Sequence, residues 1–228
     1  MIRIDDELST PQLSKRDSVH VLDIGDTENR LSPEWMEEFG AALDEVLSEP
    51  APLVVTATGK FYSNGLDLDW LGRNPNQFLA YVTRVQALFA RVLTLPVPTA
   101  TAINGHAFGA GAMLAMAFDW RVMRDDRGFF CFPEVDISIP FTPGMAALIQ
   151  SKVTPRAAVD SMTTGRRFSG ADAVAVGLVD HAVTESDLVD RAVERVVPLA
   201  GKSTETLGKI KSTMFAEAVT ALTEVGAV

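Results

Sequence analysis

The segment Gly105–Gly111 and the carboxylate of Glu134 are the places where residue type and spacing could do chemistry. Thr99–Ile103 reads as a strand, Asn104-Gly105 as a turn, and Gly109-Ala110-Gly111 as the lead into an apolar helix over about 111–118. A strand, a glycine-rich turn and a helix leave main-chain N–H groups free at a helix N-terminus, where an anion or an oxygen developing negative charge is attracted. The same small residues would also let the helix lie close against a strand, and the turn alone does not separate the two readings. Its glycines are not spaced G-x-G-x-x-G, so a dinucleotide fold is poorly supported, and no Lys-Ser or Lys-Thr follows as in a phosphate loop. Glu134 follows Pro133. A lone glutamate there is ordinarily a solvated loop residue, so any role as a base depends on what lies beside it.

Other constellations are weaker. No G-x-S-x-G is present, so a serine nucleophile elbow is unsupported. His20, His106 and His181 are far apart and lack cysteine partners at ligand spacing, which argues against a zinc site. His106 reads as a packing or capping residue. The single cysteine, Cys131, excludes an intrachain disulfide and fits a reducing compartment.

The elements that must position these residues alternate along the chain. Val19–Ile24 reads as a strand. Ser32-Pro33-Glu34 is a helix start, followed by Met36, Phe39, Leu43, Val46 and Leu47 at helical spacing, and Pro50 and Pro52 stop that helix. Leu53–Ala57 is a short apolar strand and Gly59–Gly65 a loop. Phe78, Val82, Val85, Leu88 and Val92 share one face of a helix over 76–94, ended by Pro96 and Pro98. Trp120–Arg124 and Phe129–Phe132 read as strands. Helix starts follow at Thr142, Thr154, Ser169 and Thr184, with a strand over Leu178–Val183 and a terminal helix over Lys202–Leu222. The pattern is α/β.

Composition sets the outer limits. Of 228 residues, 47% are hydrophobic and 22% charged, enough for a sizeable core. A net charge of −10 argues against nucleic-acid binding or a polybasic membrane contact, but leaves room for an anionic ligand held by local cations. No apolar run approaches the ~20 residues of a membrane span. The start MIRIDDELST lacks the basic and apolar regions of a signal peptide, and the end EVGAV is not a peroxisomal address of the SKL type. A cytoplasmic location is expected.

Four segments in order carry a resemblance over nearly the whole chain. Phe61–Leu68 (FYSNGLDL) resembles the F-x-x-G-x-D-[LI] loop of the crotonase, or enoyl-CoA hydratase/isomerase, superfamily. Pro98–Asp119 (PTATAINGHAFGAGAMLAMAFD) resembles that family's glycine-loop and helix pattern. Phe132–Ile137 (FPEVDI) resembles its F-x-x-P-E-[VI] segment, and Gly165–Gly177 (GRRFSGADAVAVG) a stretch further on. The resemblance implies an α/β fold built as a spiral of ββα repeats. It implies a core over 1–195 and a C-terminal helical, trimerisation segment over 196–228, with a homotrimer or hexamer as the assembly.

It also implies roles. The main-chain N–H groups of Leu66 and Ala110 would hold the thioester oxygen of an acyl-coenzyme A, and Glu134 would be the acid/base. Family hydratases use two glutamates, and Met113 stands where the first would be. One carboxylate suffices to move a proton between C2 and C4, so the expected activity is that of a Δ3,Δ2-enoyl-CoA isomerase of fatty-acid metabolism. Glu134-Val135-Asp136-Ile137 is similar to the isomerase branch, with Pro133 in place of a serine and Ser138 in place of a glycine. A hydratase, another acyl-CoA reaction or a non-catalytic acyl-CoA binder are the alternatives. Met113, Leu114, Phe61 and Asp67 are expected around the substrate, Asp67 by fixing its loop. Lys209 and Lys211 are candidates for the CoA phosphates. No metal or redox cofactor is implied, since coenzyme A belongs to the substrate.

Overall fold

The computed structural model describes residues 11–224. The readings of the first ten residues and of 225–228 lie outside the described residues, as do the outer ends of the segments 1–195 and 196–228.

Short apolar runs form strands when both faces of a sheet are covered. The strands are β1 (Gln12–Arg16), β2 (Val19–Asp23), β3 (Leu53–Thr56), β4 (Phe61–Ser63), β5 (Thr99–Ile103), β6 (His106–Phe108), β7 (Trp120–Arg124), β8 (Phe130–Cys131) and β9 (His181–Val183). β1 pairs antiparallel with β2, and β2, β3, β5, β7 and β9 then pair in parallel, in that order. Every residue of β3 and β5 is buried. β4, β6 and β8 form a second, parallel sheet. Each of the pairs β3–β4, β5–β6 and β7–β8 thus sends its first strand to the large sheet and its second to the small one. A helix follows each pair, which is the expected spiral of ββα units.

The helices are α1 (Pro33–Ser48), α2 (Leu68–Arg73), α3 (Phe78–Leu93), α4 (Ala110–Ala117), α5 (Glu134–Ile137), α6 (Pro143–Gln150), α7 (Pro155–Met162), α8 (Gly170–Val176), α9 (Leu188–Val196), α10 (Thr204–Met214) and α11 (Ala216–Thr223). Ser32, Thr142, Thr154 and Ser169 each cap a helix by accepting from the N–H three residues on, as their sequence contexts predict. Thr184 opens only a short 3-10 turn, with no side-chain cap. All residues of α4 are buried, as a helix apolar on every side requires.

The differences from the sequence reading are local. The loop 59–65 contains β4, and the glycine turn contains β6. The terminal helix is broken at Phe215, which turns into the core at 6% exposure. Beyond the break, α11 packs on α3 and α6.

Candidate active site

Glu134 reaches its position through main-chain pairing. The Ala107 N–H donates to Phe129 O and the Gly109 N–H to Cys131 O, both at 3.0 Å. The glycine turn and β8 therefore run side by side, and the chain leaving β8 carries Glu134 up to Gly109. A Cβ built on Gly109, at φ +51°, would stand 3.3 Å from Glu134 Oε1. The glycine makes room for the carboxylate. Ser138 in the left-handed region (φ 58°) ends α5, and the Ile139 N–H closes the turn onto Glu134 O at 3.1 Å.

Glu134 is 8% exposed, and its Oε2 is buried without a hydrogen-bond partner. Burial disfavours the charged form and pushes the carboxyl up to about 7, against a smaller opposing effect of its own main-chain N–H. A buried, unpartnered carboxyl that titrates near neutrality is suited to taking up and giving back a proton.

The loop that follows β4 supplies a donor. Its Asn64 N–H donates to Glu28 O at 2.8 Å, Gly65 N–H to Ser63 Oγ at 3.2 Å, Asp67 N–H to Tyr81 Oη at 2.8 Å and Leu68 N–H to Leu66 O at 3.0 Å. Leu66 N–H alone among these has no acceptor among the described residues. Ala110 N–H, in the first turn of α4, has none either, as expected at a helix start. The two loops touch: a Cβ on Gly65 would lie 3.0 Å from Ala110 N and 2.8 Å from Phe108 O. Leu66, Ala110, Met113 and Glu134 all line one cavity of about 350 Å³. Gly111 meanwhile abuts Ser63, so close helix–strand packing and an anion-attracting turn coexist in one segment.

The structure brings Leu66, Ala110, Met113 and Glu134 together and leaves the other candidates elsewhere. Leu114 is fully buried in the core on another face of α4 and does not line the cavity. Phe61 lies on β4 with its ring 5.5 Å from that of His106, also outside the cavity. Asp67 caps α2 by accepting from Trp70 N–H at 2.9 Å, so it shapes the loop rather than meeting the substrate. Lys209 is exposed and paired to Glu205 at 2.6 Å. Lys211 is buried, donating to Asp119 Oδ2 at 2.6 Å and Val97 O at 2.8 Å, so it is not available to a phosphate. Lys211→Met should leave the Asp119 carboxylate buried without its cation and cost about 3 kcal/mol, read as a lowered Tm.

Arg30, Asn64, Asp69, Ile137, Ile139 and Met145 are among the other residues of the cavity wall, unforeseen. Asn64 and Ile137 fall inside the quoted motif segments. Met145 comes from α6 and had no local signal.

The chain as a whole is similar to known proteins. A family model described as enoyl-CoA hydratase/isomerase matches residues 15–227. The chain is 33% identical over 215 residues to the peroxisomal enoyl-CoA delta isomerase 1 of Arabidopsis thaliana, covering 90% of this chain and 89% of that protein. An apo enoyl-CoA isomerase structure from Mycobacterium tuberculosis superposes with a TM-score of 0.86 at 26% identity, over 94% of each chain. The human mitochondrial Δ3-Δ2-enoyl-CoA isomerase shares the fold at a TM-score of 0.86 and 23% identity, over 92% of this chain and 85% of that one. With the ββα spiral and the match over almost its full length, the chain belongs to the enoyl-CoA hydratase/isomerase family of the crotonase superfamily.

Proposed function

We propose that this protein is a Δ3,Δ2-enoyl-CoA isomerase in which Glu134 is the only acid/base. The observation that carries the reading is the buried Glu134 carboxyl, its Oε2 unpartnered, in a cavity where Met113 replaces the expected second acid and the one other carboxylate in the lining, Asp69, is exposed and paired with Arg30 at 2.7 Å. The thioester oxygen accepts from the N–H groups of Leu66 and Ala110. Negative charge moving onto that oxygen is thereby stabilised, and the proton on C2 becomes more acidic. Glu134 takes it, a dienolate forms, and the same carboxyl returns the proton to C4. One proton moves and no water is consumed, so the step needs no redox group. Met113 cannot orient or deprotonate a water, so hydration has no second catalyst.

The CoA phosphates are assigned in this proposal to Lys60 and Arg167. The Arg167 guanidinium lies 5.6 Å from the ring centre of Phe108, which lines the cavity, and Lys60 lies 5.0 Å from that of Phe61. His106 between these rings is held below its usual range by burial and then by the charges of Lys60, Arg167 and Arg127. A positive strip therefore runs outward from the cavity. A homotrimer or hexamer is also part of the reading, supported by the exposed apolar side chains of Val135, Ile137 and Ile139. So is a cytoplasmic location. Among the described residues no helix is long and apolar enough to cross a membrane, and the Arabidopsis relative is named as peroxisomal.

The wild type should turn over 3-hexenoyl-CoA at least about a hundredfold faster than it hydrates crotonyl-CoA. Met113→Glu, which restores a second carboxylate, should raise crotonyl-CoA hydration about tenfold or more. Rapid hydration by the unmodified protein would overturn the isomerase assignment.

A further inference from the structure

A second cavity, of about 720 Å³, shares no lining residue with the first. Pro98, Asp119 and Trp120 place it at the N-terminal ends of β5 and β7. Leu66, Ala110 and Glu134 instead follow the C-terminal ends of β4, β6 and β8, the strands of the small sheet.

Its charge is unbalanced. Lys152, Arg195, Lys202 and Lys211 contribute cations to the lining, and Asp119 the only carboxylate. Asp119 is already engaged, accepting from Lys211 at 2.6 Å and from Thr99 N–H at 2.9 Å. The Lys152 ammonium makes no ion pair among the described residues. It sits part-buried, 4.8 Å from the ring centre of Phe215. Burial, with the charge of Arg121 next, pushes it down to about 7, a loss that the charges of Asp119 and Asp180 offset only in part. An aromatic face offsets part of that loss, but a bound anion would offset more. Apart from Ser203 and Thr206 the rest of the lining is apolar, and Ile210 and Met214 are 53% and 63% exposed along it.

We propose that this cavity binds a monocarboxylate with an apolar chain, of the fatty-acid class, its head at Lys152 and its chain along Leu207, Ile210 and Met214. A single deep ammonium matches a singly charged head. A local excess of cations in a chain of net charge −10 is what selects an anion there.

Calorimetric titration of the full chain with decanoate tests the site. Wild type should bind, Lys152→Met should weaken binding about tenfold or more, and Leu207→Trp should fill the cavity and abolish it. Both variants should keep wild-type turnover. Met113→Trp, which fills the active-site cavity instead, should leave decanoate affinity unchanged. Absence of binding by the wild type would overturn the proposal. So would affinity lost in Met113→Trp but kept in Leu207→Trp, which would seat decanoate in the active site. So would unchanged affinity in Lys152→Met and Leu207→Trp together with an altered oligomeric mass, which would make this face a contact between copies.

Discussion

Glu134→Gln is expected to lower kcat for 3-hexenoyl-CoA isomerisation about 10³-fold or more while leaving KM within a few-fold of wild type. The amide keeps the shape of the side chain against Gly109 but has no site for the travelling proton. Wild-type kcat/KM should rise with pH through a midpoint near 7, because only the ionised carboxylate can take the C2 proton and its burial holds the group up to about 7. Stability should respond in the opposite sense. Between the ordinary carboxylate value of 4.5 and about 7, folded Glu134 keeps a proton that the unfolded chain has lost. More protons bound by the folded state means that stability falls as pH rises through that window. The glutamine variant escapes this loss, so above pH 8 it should be more stable than wild type by roughly 1–3 kcal/mol. A variant both less active and more stable marks a functional carboxyl rather than a structural one.

Gly65→Ala should reduce kcat by about 10²- to 10³-fold through the amides proposed to hold the thioester oxygen, without touching Glu134. Gly65 has φ +84°, and an added Cβ would meet Phe108 O at 2.8 Å and Ala110 N at 3.0 Å, both main-chain atoms that cannot swing aside. The loop carrying Leu66 N–H must then move away from Ala110 N–H, which separates the two proposed donors. Gly177→Ala is the control. That glycine has a similar φ of +79° with nothing within 4 Å, so it carries the conformational strain alone, about 1–2 kcal/mol of stability, with kcat unchanged. Circular dichroism and kcat measured on both variants separate loss of fold from loss of geometry.

Features set by neighbours in sequence were legible beforehand. Ser32, Thr142, Thr154 and Ser169 cap helices because a hydroxyl beside a helix start satisfies an N–H within three residues. Strands β4 and β6, of three residues each, have too little pattern to stand out from a loop, and only pairing within the small sheet makes them strands. Met113 and Leu114 are adjacent and equally apolar, so nothing local says that one lines the cavity and the other the core. Lys209 and Lys211 look alike in sequence and part company in space. One finds Glu205 a single helical turn away at the surface, the other the part-buried Asp119, 92 positions distant. Glu134 reads locally as a solvated loop residue. Its burial comes from the passage of the glycine turn, and only the family motifs pointed to it beforehand.

The geometry at the centre of this account is tested most directly by a crystal structure with hexanoyl-CoA, a saturated ester that binds without reacting. The thioester oxygen should lie about 2.7–3.1 Å from both Leu66 N and Ala110 N, with the Glu134 carboxyl facing C2. A thioester bound away from these two amides, or a Glu134 side chain turned from C2, would contradict it.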